Sequence, residues 1–396
     1  MNKKDLWLLS ELFYPDETST AFLLTRIAKK LGDKYNVRVI CPREIYDEEK
    51  KPSGEIDLSA IQIIRVKTSS INKNSSFLKV LWKDFKTGII LSHNLYKRSQ
   101  KGDKVLVVTI PALLLPMVAI VKKIKKLSLS VIVCDVFPEN TIPAGIIKSP
   151  KSISYRIIKK IFDKSYAAAD RLIAIGRDMK DVLIGKIGDN NSLKISIIEN
   201  WAEQYILDSN CNCDDLTKVN MLFAGNLGRV QGLDKLAECI GESKNSDTRF
   251  LFRGTGAMKE FLEEFANKHS ESTIEVGGSF KREEQPMIFR ETHMAFITLS
   301  PDMYGLGVPS KSYNLMAAGK ALIFIGPKDS EIWRVVKEND IGYCFEWSQT
   351  KEIIKFFDSL SLEMLPSIIE KGRKAKLIAK QLYSESIILN KYVETI

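Results

Sequence analysis

Short β-branched runs alternate with amphipathic stretches along this chain, in two series, and that alternation limits the fold more than any other feature. Residues 6–9, 37–41, 61–66, 105–109, 131–134, 171–175 and 194–198 read as strands, with a first helix over 21–31. A second series of strands follows at 219–224, 249–252, 273–276, 295–298, 322–325 and 343–346. Strands separated by helices make a parallel sheet through right-handed crossovers. Ligands then collect at the carboxyl ends of the strands. With 396 residues the chain exceeds what one hydrophobic core organises. The expected fold is α/β, with two Rossmann-like, doubly wound parallel-sheet domains facing across a cleft. The predicted boundaries are 1–200 for the first domain, 201–218 for a linker without clear period and 219–380 for the second domain. A helical end over 381–396 is expected to pack back on the first domain.

Composition narrows the class. The chain is 44% apolar and 27% charged, as in a globular protein rather than a disordered one. The net charge of +10 suits an anionic partner. The six cysteines (41, 134, 211, 213, 239 and 344) are single except for Cys211 and Cys213, and no secretory leader pattern opens the chain. A reducing cytoplasm is the expected compartment. Cys211, Cys213, Asp214 and Asp215 lack a second pair at zinc spacing, so the stretch reads as linker, not metal site. The uncharged run VLVVTIPALLLPMVAIV (105–121) is at the short limit of a membrane span. Pro111 and Pro116 favour a buried strand followed by a helix.

Two basic amphipathic helices are expected in the first half. One carries Phe77, Leu81, Phe85 and Ile89 on one face; the other carries Ile153, Ile157 and Ile161 beside Arg156, Lys159, Lys160 and Lys164. Such faces more often pack into a core than onto a bilayer, although their cations also suit an anionic leaflet at the inner face of a cell membrane.

The chemistry-bearing motifs lie at predicted strand ends. Thr18, Ser19 and Thr20 open the first helix as caps or as sugar or phosphate contacts. In MLFAGNLGRVQGLDKL, Gly225, Asn226, Gly228 and Arg229 sit between strand and helix. In LFRGTGAMKEFL, Arg253, Gly254 and Gly256 repeat the arrangement. Such glycines let amides approach an anion, and arginine binds it as a fork. GLGVPSKSYNLMAAGK (305–320) is a loop entering a short helix, with Gly305, Leu306, Gly307 and Val308 leading in, Ser310 a candidate N-cap and Gly319 a candidate C′ residue. Lys311 stands in the first turn, where the helix dipole repels a cation. A diphosphate bound there reverses the sign of both interactions.

These residues resemble the GT-B glycosyltransferases of family 4, in the subgroup that builds bacterial surface polysaccharides. FAGNLGRVQGLDKL, RGTG and GVPSKSYNLMAAGKALI match the donor half of that family. LFYPDETSTAFLLTRIAKKL, VIVCDVFPEN, AAADRLIAIGRDM and KISIIENWAE match the acceptor half in order, so the likeness covers nearly the whole chain. It implies transfer of a sugar, with retention of configuration, from a nucleotide diphosphate donor, by family habit a UDP-sugar, to a lipid-linked or membrane-associated saccharide. It also implies no essential metal and no cofactor. Lys311, with Arg229 or Arg253, is the expected holder of the diphosphate. Asn226 and Gln231 stand where the family carries an arginine and a lysine. Asn314 replaces the second of two glutamates that lie eight apart in the family. Asp135, at a strand end near the family's catalytic histidine, is a candidate base or sugar ligand, with Glu139 a candidate acceptor ligand. His93, His269 and His293 fall in no matching motif. A GT-B epimerase and a noncatalytic membrane or nucleic-acid binder are the rival classes. No RNA-binding pattern of aromatic and basic residues supports a nucleic-acid partner.

Overall fold

The computed structural model describes residues 3–16, 18–43, 56–68, 77–228, 231–269 and 273–396. The chain forms two compact units. One comprises Met1–Glu199, Gly305–Gly307 and Leu389–Ile396; the other comprises Asn200–Tyr304 and Val308–Ile388.

Among the described residues the first unit carries β1 (Asp5–Leu9), α1 (Ser19–Leu31), β2 (Asn36–Pro42), β3 (Gln62–Val66), α2 (Phe77–Arg98), β4 (Lys104–Val108) and α3 (Leu114–Lys125). It continues with β5 (Ser128–Val133), α4 (Ile153–Ala168), β6 (Arg171–Ala174), α5 (Arg177–Ile187) and β7 (Ile195–Ile197). The strands pair in parallel in the order β3-β2-β1-β4-β5-β6-β7. The central strands β1 and β4 are buried along nearly their whole length, as apolar strands covered on both faces must be. The 105–121 run divides into β4 and α3, and no described helix is long and apolar enough to cross a membrane.

The second unit holds α6 (Gln204–Asp208), β8 (Val219–Ala224), α7 (Leu233–Glu242), β9 (Thr248–Arg253), α8 (Lys259–Lys268), β10 (Ile274–Gly277), α9 (Gln285–Arg290) and β11 (Met294–Thr298). After these come α10 (Lys311–Ala317), β12 (Ala321–Ile325), α11 (Glu331–Asn339), β13 (Gly342–Phe345), α12 (Thr350–Ser359) and α13 (Leu365–Leu382). Its parallel sheet runs β10-β9-β8-β11-β12-β13. In its core Phe357 meets both Phe250 and Phe296 edge-on, with centroids 5.4 Å and 6.0 Å apart, while Phe250 and Phe296 stack on each other at 6.4 Å. A final helix, α14 (Glu385–Thr395), begins in this unit and ends in the first. There Lys34 Nζ donates to the Val393 carbonyl (2.7 Å), and Lys104 Nζ donates to that of Ile396.

Both sheets reverse their winding between two central strands, β1 and β4 in one, β8 and β11 in the other. The loops beyond those strands are where a doubly wound sheet opens to a ligand. Three sequence expectations change. Residues 201–218 are not a bare linker, because they form α6 and belong to the second unit, where the Cys211 carbonyl accepts from buried Lys320 Nζ (2.5 Å). Helix α1 begins at Ser19, two residues before the expected start, because Thr18 already caps it by accepting from the Ala21 amide (3.2 Å). The isoleucine face of α4 is not packed into a core but stands exposed.

Candidate active site

The site of the second unit is built on β8 and on the loop after β11. Lys311 opens α10, and its Nζ lies 3.5 Å from the centroid of the Phe223 ring on β8. Nζ is shielded from solvent and has no hydrogen-bond partner among the described residues. Burial pushes its pKa down to about 7. A desolvated cation over an aromatic face gains about 2 kcal/mol or somewhat more, which does not offset the loss of its hydration. This position at the sheet's switch point therefore carries an unanswered positive charge whenever Lys311 is protonated.

The rest of the loop differs from its expected form. Ser310 occupies the N-cap position, but its backbone is already right-handed helical and its side chain makes no cap bond. The Ser312 and Tyr313 amides are taken by the carbonyls of Pro309 (3.1 Å) and Ser310 (3.3 Å). Two of the first-turn amides are therefore taken, and the Lys311 side chain is the cation at this end of the helix. At the other end Gly319 has φ +72° and closes α10 as expected, its amide bonded to the Met316 carbonyl (2.9 Å). Gly305, Leu306 and Gly307 belong to the first unit, where the Gly305 amide donates to Asp178 Oδ2 (3.3 Å) and the Leu306 carbonyl accepts from the Val136 amide (3.0 Å). Val308 returns the chain to the second unit.

The two glycine turns serve each other. The Gly225 amide donates to the Arg253 carbonyl (2.9 Å), and the Leu227 amide donates to the Thr255 carbonyl (2.9 Å). A Cβ on Gly254, at φ +151°, would lie 1.8 Å from the Gly225 carbonyl oxygen, and one on Gly256 would lie 2.4 Å from that of Leu227. The glycines thus bring two loops into contact, and the Gly225 amide is not free for an anion. Asn226 is exposed beside Gly228. Gly254→Ala is expected to destabilise the protein by about 3 kcal/mol or more, read as a lower urea midpoint, because a left-handed backbone and a backbone clash coincide.

Arg253 is not available as a diphosphate fork. Its guanidinium is paired with Glu291 (2.9 Å) and lies 3.7 Å from Glu275. Arg229 lies outside the described residues. Asn314 is also committed. Its Nδ2 donates to Glu203 Oε1 (2.7 Å) and Gln285 Oε1 (3.1 Å), and its Oδ1 accepts from the Glu203 amide (3.0 Å). Glu203 in turn takes a bidentate pair from Arg282, both bonds 2.7 Å. The amide that replaces the family glutamate is therefore matched to a buried carboxylate nearby. Sequence spacing gave no signal for this network, because Glu203 lies in the stretch without periodicity. Asn314→Glu would set one carboxylate against another and remove two donors. We expect a loss of about 2 to 4 kcal/mol at pH 8, and less near pH 5, where one proton is shared. Thermal melting at the two pH values checks this.

In the first unit Asp135 follows β5. Its amide and that of Cys134 both donate to Thr109 Oγ1, at 3.2 and 3.1 Å, which fixes the turn at the end of β4. The carboxyl group makes no hydrogen bond or ion pair among the described residues, and burial raises its pKa to about 6. Glu139 differs. Both of its oxygens accept from Lys186 Nζ at 2.6 Å, with Lys159 at 3.1 Å, and the 2%-exposed Lys186 side chain also pairs with Asp163 (2.6 Å). That carboxylate is engaged in an ion network rather than free for an acceptor. Thr18 is a helix cap, exposed Ser19 and half-buried Thr20 follow it, and His293 is a buried acceptor for the Asn220 amide (3.1 Å). Among the described residues no three His, Cys, Asp or Glu side chains are grouped to hold a metal ion.

The probable glycosyltransferase WbjE of Pseudomonas aeruginosa is 30% identical to this chain over 398 residues, covering 98% of this chain and 96% of that protein. No family model matches the chain. Among solved structures it is similar to Anabaena HepE in complex with UDP, with a TM-score of 0.67, 13% identity and 99% of both chains covered. It is also similar to WaaG, a glycosyltransferase involved in lipopolysaccharide biosynthesis, with a TM-score of 0.64, 12% identity and 98% of both chains covered. An E. coli trehalose-6-phosphate protein bound with UDP-2-fluoro glucose gives 0.70, 13% and 98% of both chains. The paired parallel sheets and these likenesses define the GT-B fold. Given the relative that matches it along almost its entire length, the chain belongs to the GT-B glycosyltransferases, in the family 4-like group that its motifs resemble.

Proposed function

We propose that this glycosyltransferase takes a sugar from a nucleotide diphosphate donor, with a UDP-sugar as the first choice, and transfers it with retention of configuration. The acceptor in this reading is a lipid-linked or membrane-associated saccharide of a surface polysaccharide, met in the cytoplasm at the inner face of the membrane. One observation carries the donor half of the reading: the buried, unpartnered Nζ of Lys311 at the switch point of the second sheet. A departing nucleoside diphosphate gathers negative charge, so a cation placed there stabilises the transition state more than the ground state. The same charge would replace a metal ion. Asp135 then holds the acceptor or takes its hydroxyl proton. The UDP and UDP-2-fluoro glucose bound to two structural relatives support the choice of donor.

A melting panel of UDP-, GDP- and ADP-sugars, run with a chelator, tests the reading. At about 100 times Kd the matching donor adds about 2.7 kcal/mol of stability. No shift with any of them would refute the donor assignment. Product analysis with and without acceptor separates transfer from epimerisation, which releases free sugar.

A further inference from the structure

Helices α3 and α4 lie side by side in the first unit, where Lys122 near the end of α3 reaches the Ala168 carbonyl (2.5 Å) and Asp170 (2.7 Å) at the end of α4. Both carry large apolar side chains outward. On α4 Ile153, Ile157 and Ile161 are 77%, 56% and 49% exposed, and on α3 Ile120 and Ile124 are 62% and 60% exposed. The spacing of four residues keeps each row on one helix face. The opposite face of α4 is anchored by buried Tyr155, Phe162 and Tyr166. The exposed row is therefore surplus to the core.

Charge identifies the occupant. Arg156, Lys160 and Lys164 on α4 and Lys123 on α3 are exposed. At 3.6 residues per turn, Lys160 and Lys164 project from the same side as the isoleucines. Helix α3 contains no acidic residue, and the one in α4, Asp163, is held by Lys159 (2.7 Å) and Lys186 (2.6 Å). A second copy docked on this face would bring these cations against one another. A nucleic acid would find isoleucines and no aromatic ring to stack on. Aliphatic side chains interleaved with unpaired cations match acyl chains beneath anionic headgroups.

We propose that this face of α3 and α4 docks the protein on an anionic phospholipid surface. The inference names a surface for the membrane-associated acceptor of the preceding reading but does not depend on the donor chemistry. Sedimentation with vesicles of phosphatidylcholine, with and without phosphatidylglycerol, tests it. Binding is expected to the anionic vesicles and to weaken with salt. At roughly fivefold per cation, the triple variant Arg156→Gln, Lys160→Gln, Lys164→Gln should bind on the order of 100-fold more weakly. The double variant Ile153→Asn, Ile157→Asn should bind about tenfold more weakly or less still. Melting shifts with the donor, measured in parallel, should stay at wild-type values in both variants, which separates this test from that of the donor site. Equal binding to neutral and anionic vesicles, no binding to either, or variants that bind like wild type would each overturn the proposal. So would a dimer in solution that the isoleucine variant dissolves.

Discussion

Lys311→Ala is expected to lower turnover of the nucleotide sugar by about 100- to 1000-fold, the usual loss when one preorganised donor to a developing anion is removed. The fold should not suffer with it. Burial holds Lys311 at about 7, against about 10.4 in an unfolded chain. Between those values the unfolded chain binds the extra proton, so the stability governed by this side chain rises from pH 7 towards pH 10 and is lowest below pH 7. The alanine variant should lose that rise and should melt no lower than wild type at pH 6. A bound diphosphate inverts the preference by favouring the charged amine. Donor affinity of the wild type should therefore weaken as pH rises past about 7, and calorimetry should detect proton uptake on binding. Wild-type turnover in the alanine variant would remove Lys311 from the site.

Asp135→Asn tests the other unit. A base that acts through proton transfer contributes about 100- to 10,000-fold, and a ligand that only holds a hydroxyl contributes less. Burial raises the Asp135 pKa to about 6, so as a base it works only once that proton is lost. Wild-type kcat/KM should climb through pH 6, and the asparagine variant should be slow with that limb absent. For stability the sign is opposite. A carboxyl whose folded pKa exceeds its unfolded value of about 3.9 favours the fold most below that value, and the contribution fades as pH rises through 6. Asp135→Asn should therefore make the protein relatively more stable near pH 7. A variant that keeps both its rate and the acidic limb would leave Asp135 with no part in the chemistry.

The strands were legible because each is a short run rich in β-branched, leucine or aromatic side chains, which in the central strands β1, β4, β8, β11 and β12 is buried along nearly its whole length, a pattern that survives without any long-range information. All the strands described in both sheets lie where such runs predict them, with ends shifted by a residue or a few. Lys311 was legible because a lysine in the first turn of a helix conflicts with the dipole and so calls for an explanation. Its neighbours were not. Phe223 is a core residue by every sequence criterion, and only the pairing of β8 with β11 brings its ring under the amine. Arg253 looked like an anion fork because a strand end and two glycines surround it. Glu291, which pairs with it, is 38 residues away. The Glu139 and Glu203 networks are equally nonlocal: Lys186 lies 47 residues from Glu139, and Asn314 lies 111 from Glu203. Polar contacts of such separation leave no period or spacing to read.

The α10 helix is fastened along its length. Asn314 is clamped to Glu203, Tyr313 is fully buried, and beyond the helix Gly319 meets Gly372 so closely that a Cβ on Gly372 would lie 2.1 Å from the Gly319 carbonyl oxygen. On the reading proposed above, a helix already held in this way has little disorder left to lose when the donor arrives. Capture at this helix should proceed in one kinetic phase, and selectivity among donors should be that of a stiff mould, declining sharply with small changes of ligand shape.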